Sequence, residues 1–152
     1  MTIKNETLQT LKELLNNTSY DITLLSNFSA FFFEKLEQVN WVGFYMNKNR
    51  TLKLGPFQGK VACIEIPFSK GVCGCCAREK QTILVPNVHE FEGHIICDTA
   101  SNSEICIPIL IQEELYAVLD IDSPILNRFT KEEQVLLEQA VQILTHELEK
   151  IL

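Results

Sequence analysis

Two apolar runs, Glu104 to Ile111 and Leu115 to Ile121, are separated only by Gln112-Glu113-Glu114. So short a connection makes the two strands antiparallel neighbours, and the rest of the chain must be arranged around that hairpin. Upstream, Trp41-Val42-Gly43-Phe44-Tyr45-Met46 reads as a strand, Asn47 to Arg50 as a turn and Leu52 to Phe57 as its hairpin partner. Val61 to Ile66 reads as a third strand, stopped by Pro67. A short helix over Gly71 to Lys80 and a strand at Thr82 to Val85 follow. Pro86 to Ser103 shows little periodicity, and an irregular segment of that length in a compact domain is usually functional. Its apolar residues Val88, Phe91, Ile95 and Ile96 argue against disorder.

Helical periodicity flanks these strands. Leu8, Leu11, Leu14 and Leu15 mark one amphipathic face, and Leu24, Leu25, Phe28, Phe31, Phe32 and Leu36 give a second, wider stripe. A capping box, Thr130-Lys131-Glu132-Glu133, opens a closing helix whose buried face is Leu137, Ala140 or Val141, Leu144, Leu148 and Ile151. The order of elements predicts an α+β layer: an antiparallel sheet with N- and C-terminal helices on one face and a loop-covered pocket on the other. At 152 residues, without repeats or linkers, one domain over 1–152 is expected.

The net charge of -7, with thirteen dispersed Lys and Arg, argues against a nucleic-acid partner. The most apolar early stretch, Phe28 to Phe33, is too short to span a bilayer. No secretory pattern opens the chain, so a cytoplasmic location is expected, where structural disulfides are disfavoured. The six cysteines (Cys63, Cys73, Cys75, Cys76, Cys97 and Cys106) then read as buried hydrophobes, metal ligands or redox groups.

Cys75 and Cys76 are adjacent, point in different directions on a helix, and suit packing or incidental surface positions. Cys106 in Ile105-Cys106-Ile107, and Cys63 within Val61 to Ile66, suit packed strands. Cys73 sits at the expected N-terminus of a helix, where free N–H groups would lower a thiol pKa. Cys97 lies in the irregular segment, within His94-Ile95-Ile96-Cys97-Asp98-Thr99, and is a candidate nucleophile. A metal site of His89, His94 and Cys97 fits no common zinc spacing, and the histidines suit ordering of the loop better. Asp120 and Asp122 share one strand face, about 7 Å apart. A turn at Asp122-Ser123-Pro124 accounts for Asp122 alone; Asp120, a charge in an apolar strand, needs a partner. Glu104 on the neighbouring strand completes a carboxylate trio suited to a cationic ligand group, and crowding would keep one of the three protonated near neutral pH.

From about Asn40 onward the sequence resembles the free methionine-(R)-sulfoxide reductases, a family of GAF-domain enzymes. The resemblance is carried by Asn40 to Tyr45, Ala62-Cys63-Ile64, Gly71-Val72-Cys73-Gly74, His89, Gly93 to Ile105 and Leu119 to Pro124. It implies Cys97 as nucleophile and Cys63 or Cys73 as resolving thiol, with Cys63 favoured. Trp41 and Tyr45 are the implied pocket aromatics, and Glu104, Asp120 and Asp122 the substrate-binding carboxylates, one of which delivers a proton. Cys75, Cys76 and Cys106 are additional to the family pattern. The implied reaction reduces free methionine-R-sulfoxide through a Cys97 sulfenic acid and an intramolecular disulfide, recycled by thioredoxin as external reductant, without a metal or bound organic cofactor. A non-catalytic GAF small-molecule sensor is the alternative, a thiol-based redox or metal sensor using the extra cysteines a third. The exposed N-terminal helices offer a surface for a homodimer.

Overall fold

The computed structural model describes residues 5–95, 97 and 99–152. Ile96 and Asp98 of the central loop motif therefore lie outside the described residues. Helices α1 (Asn5–Leu15) and α2 (Asp21–Lys35) lead into strands β1 (Trp41–Lys48), β2 (Thr51–Gly59) and β3 (Glu65–Pro67). Helix α3 (Gly71–Glu79), strand β4 (Ile83–Val85) and a single 3-10 turn (Val88–Glu90) precede the hairpin of β5 (Ser103–Ile111) and β6 (Glu114–Ser123). Helix α4 (Lys131–Glu149) closes the chain. The six strands form one sheet in the order β3-β2-β1-β6-β5-β4, every pairing antiparallel. Among the described residues no helix is long and apolar enough to cross a membrane.

Side chains alternate across a strand, and here each set meets its own cover. Val42 and Phe44 of β1, Ile105, Ile107 and Ile109 of β5, and Ala117, Leu119 and Ile121 of β6 pack under α1, α2 and α4. Phe28 and Phe32 of α2 are fully buried there, with ring centroids 4.8 Å apart and Phe28 edge-on to Phe44 at 5.5 Å. The opposite set, including Trp41, Tyr45, Cys106 and Val118, packs with α3 and the long loop. The α+β layering expected from the pattern is thus present, with both sheet faces covered.

The capping box at α4 forms as read. Thr130 Oγ1 accepts from the Glu133 N–H at 3.1 Å, and the Glu133 carboxylate accepts from the Thr130 N–H at 3.3 Å. Arg128, almost wholly buried, donates to both oxygens of Glu133 at 2.8 and 3.0 Å and to the Glu37 carbonyl at 3.0 Å, tying α4 to the end of α2.

Two local expectations fail. The third strand does not run from Val61 to Ile66; only Glu65–Pro67 pairs, and Val61 and Ile64 stand 88% and 76% exposed. Residues 61–63 instead leave the ladder, to which Ile64 adds only its carbonyl, accepting from the Leu54 N–H at 3.1 Å; Tyr45 donates its hydroxyl to the Cys63 carbonyl at 2.9 Å, and the Cys63 side chain is bonded elsewhere. On α1, Leu11 and Leu15 are buried but Leu14 is 41% exposed. The core there accepts a stripe narrower than the leucine pattern offers.

Candidate active site

Strand register assembles the site. Trp41 of β1 lies opposite Asp122 of β6, and Asp122 opposite Glu104 of β5; one step along, Gly43 faces Asp120 and Asp120 faces Cys106. Period-two alternation sends these side chains to the face under α3, which is how Glu104, Asp120 and Asp122, distant in sequence, reach one pocket. Side-chain hydroxyls hold the ends of the two carboxylate strands: Ser123 donates to the Gln38 carbonyl and Ser103 to the Ile125 carbonyl, each at 2.6 Å.

Trp41 forms one wall. Its indole stacks between Tyr45, centroids 5.8 Å apart, and Phe57 at 5.2 Å, and its Nε1 donates to the Lys60 carbonyl at 3.1 Å. Glycine makes room for the ring: a Cβ on Gly43 would lie 2.3 Å from Phe57 Cβ and 2.7 Å from the indole, distances no real Cβ adopts. The opposite rim is the start of α3, where Gly71, at φ +73°, donates its N–H to the Gly93 carbonyl at 2.9 Å and so fastens the long loop to the helix.

That loop delivers Cys97, which is joined to Cys63 by a disulfide with Cα atoms 5.3 Å apart, at the edge of the carboxylate pocket. With this bond closed the cavity holds about 40 Å³, room for on the order of three waters. His89 does what a loop-ordering histidine should, hydrogen bonding through Nε2 to Asn102 at 2.8 Å, while Asn102 donates onward to the Pro124 carbonyl at 2.7 Å. His94 lines the pocket; burial, then the facing His89, hold its imidazole below the ordinary range. In this form Cys97 is in the disulfide and His89 is engaged with Asn102.

The electrostatics differ from expectation at Cys73. A helix N-terminus would lower this thiol, and the Cys106 hydrogen bond acts the same way. Burial and the charges of Asp120 and Asp122 outweigh both, and Cys73 is pushed up to about 12. Burial, then the Asp120 and Asp122 charges, likewise push the Glu104 carboxyl well above the usual carboxylate range, so that it stays protonated where other carboxyls are ionised. Burial, followed by Asp120, raises the Tyr45 phenol. Among the remaining cysteines, Cys76 is buried in the α3 packing and Cys75 is half-buried.

The structure therefore brings together every residue singled out from the sequence: Trp41, Tyr45, Cys73, Cys97, Glu104, Asp120 and Asp122 around the pocket, with Cys63 bonded to Cys97. Sequence reasoning missed the neighbourhood of Cys106, whose Sγ lies 3.4 Å from Cys73 Sγ and 3.5 Å from both a Glu104 and an Asp120 oxygen. Its place two residues after Glu104, on the same strand face, was the available signal.

Comparison with known proteins gives the family of the chain. The GAF domain family profile matches residues 5–148. The chain is 45% identical over 139 residues to the free methionine-R-sulfoxide reductase of Escherichia coli, covering 91% of this chain and 81% of that protein. Among solved structures it superposes on fRMsr of Staphylococcus aureus in complex with substrate at TM-score 0.93, with 42% identity and 97% of each chain covered. The free methionine-R-sulfoxide reductase from Neisseria meningitidis, also in complex with its substrate, superposes at 0.92 with 30% identity over 99% of this chain and 95% of that one. The chain therefore belongs to the GAF domain family and, within it, to the free methionine-R-sulfoxide reductases.

Proposed function

We propose that this enzyme reduces free L-methionine-(R)-S-oxide to methionine, with Cys97 as nucleophile and Cys63 as resolving thiol. The observation that carries the reading is the Cys63–Cys97 disulfide at the edge of a pocket that also holds three carboxylates and an indole wall. In the reduced enzyme the Cys97 thiolate attacks the sulfoxide sulfur. Glu104, kept protonated by its surroundings, is the group suited to protonate the departing oxygen. Net, oxygen passes from substrate sulfur to cysteine sulfur: sulfoxide plus thiol become thioether plus sulfenic acid. The Cys63 thiol then condenses with the sulfenic acid, releasing water and forming the disulfide. A dithiol protein of the thioredoxin class restores both thiols by exchange.

Selectivity follows from the same groups. Asp120 and Asp122 suit the substrate's α-ammonium, and the N–H groups of Val72 and Cys73 in the first turn of α3, which lack intrahelical partners, suit its α-carboxylate. Capture of both charges excludes a methionine sulfoxide inside a polypeptide. One fixed indole against the S-methyl and one fixed acid toward the oxygen admit a single epimer at sulfur. Cys73, with its raised pKa, is a poor attacking thiol, which favours Cys63 as the resolving group.

A thioredoxin-coupled assay with both epimers, free and peptide-bound, tests this. Turnover of the free R epimer alone is expected, with loss in Cys97→Ser. Turnover of the S epimer or of peptide substrate overturns the selectivity. Ligand binding without thiol oxidation would leave a non-catalytic GAF sensor instead.

A further inference from the structure

The floor of the pocket gathers two thiols and two carboxylates from three elements: Cys73 from the first turn of α3, Glu104 and Cys106 from β5, and Asp120 from β6. All four are buried, and one ligand atom from each lies within 4.8 Å of the others. Cys73 Sγ and Cys106 Sγ are 3.4 Å apart. Cys106 Sγ is 3.5 Å from Glu104 Oε2 and from Asp120 Oδ1, and Cys73 Sγ is 3.9 Å from Glu104 Oε2. A tetrahedral zinc ion with sulfur at about 2.3 Å and oxygen at about 2.0 Å has edges of roughly 3.8 Å between sulfurs and roughly 3.5 Å between sulfur and oxygen. The four observed separations match those edges to within a few tenths of an ångström.

We propose that the reduced protein binds one thiophilic divalent cation, with zinc as the type, through Cys73, Cys106, Glu104 and Asp120. The donor set selects the ion: two sulfurs favour zinc or cadmium, whereas magnesium and calcium require oxygen shells that the site does not offer. The scaffold fixes the geometry, since Cys106 lies directly opposite Asp120 in the β5–β6 ladder and two residues from Glu104 on the same strand. Neither thiol belongs to the Cys63–Cys97 couple, so ion binding and disulfide formation use separate sulfurs. Binding is acid–base and not redox: the cysteine thiols ligate as thiolates and their protons pass to solvent. The consequence, which rests on the function proposed above, is inhibition, because the bound ion occupies the carboxylates the substrate and the leaving oxygen require.

Anaerobic titration of the reduced, chelator-treated protein with Co²⁺, followed by displacement with Zn²⁺, tests the site without reference to activity. One equivalent per chain is expected, with thiolate-to-cobalt charge-transfer absorption and tetrahedral d–d bands. Cys97→Ser retains both. Cys106→Val and Cys106→Ser lose most of the charge-transfer intensity and bind at least tenfold more weakly, with circular dichroism confirming that each is folded. Absence of charge transfer in the unmutated protein, its survival in both folded Cys106 variants, or its loss in Cys97→Ser overturns the proposal. Zinc is further expected to inhibit sulfoxide turnover, with free substrate weakening the metal. A protein that binds cobalt as described yet reduces no sulfoxide keeps the site and removes the proposed function. Turnover untouched by zinc at full occupancy overturns the inhibitory role.

Discussion

Glu104 is 7% exposed, faces Asp122 directly across the ladder and shares a hydrogen bond with Asp120, so its charged form has little solvent and two like-charged neighbours. In the proposed role of proton donor it has to hold its proton at the working pH, so turnover is expected to fall as pH rises through its elevated pKa. Glu104→Gln should lower kcat by ~10²–10⁴-fold and flatten that alkaline limb; an unchanged limb moves the role to another group. The same shift sets a stability trend. The folded state holds this proton above the pH at which the unfolded chain releases it, so the stability contributed by protonated Glu104 is present at low pH and lost as pH rises through the folded pKa. Urea unfolding of wild type and Glu104→Gln across that window should therefore diverge, the variant losing less at high pH. Asp120 was legible as a site residue because a carboxylate in an apolar strand demands a reason, and Glu104 because it opens the adjacent strand. The Cys63–Cys97 pairing was reachable only through the family resemblance, since spacing alone favours no pair among six cysteines. Cys73 misled because a local rule, the helix N-terminus, was set against burial and two nearby carboxylates that only tertiary structure supplies.

At the scale of elements, α2 shows how the helix side supports a site it never touches. Phe28 lies fully buried between Phe32 and Phe44, and Phe44 alternates along β1 with the residues that face the pocket. Phe28→Ala should cost about 3–5 kcal/mol in urea unfolding, while kcat/KM of the fraction still folded stays near wild type; a comparable loss in kcat/KM would mean that β1 shifts with its packing. The elements legible in the sequence were those with one dominant local signal: the β5–β6 hairpin through its short turn, α4 through its capping box, β1 through its aromatic and β-branched run. Val61 to Ile66 was misread because its alternation is real but its ladder partner is not. Once Tyr45 holds the Cys63 carbonyl and Cys63 reaches Cys97, the ladder with β2 runs only over Glu65–Pro67, extended by one hydrogen bond from the Leu54 N–H to the Ile64 carbonyl. A tertiary hydrogen bond and a covalent bond, neither visible in local pattern, overrode strand propensity.

Over the whole molecule the two faces of the sheet have separate duties. The helix side is a continuous aliphatic and aromatic core, and the pocket side combines a smaller apolar cluster with buried acids, thiols and the one cross-link found among the described residues. That cross-link spans 34 residues of chain, including α3, β4 and the 3-10 turn, so closing it removes conformational freedom mainly from the unfolded chain. Loop-closure entropy places its effect at about 2–4 kcal/mol. The helix-side core contains neither Cys63 nor Cys97, so the reduced protein is expected to remain folded while its urea midpoint falls relative to the oxidised form. Cys63→Ser should give the reduced midpoint under both oxidising and reducing conditions. If the oxidised and reduced midpoints coincide, or if the variant still shows the difference, the stabilisation comes from some other oxidation and the division of labour between the faces fails. If they separate as expected, the disulfide state is the more stable one, and in the proposed cycle any external dithiol that reopens the Cys63–Cys97 bond works against that difference.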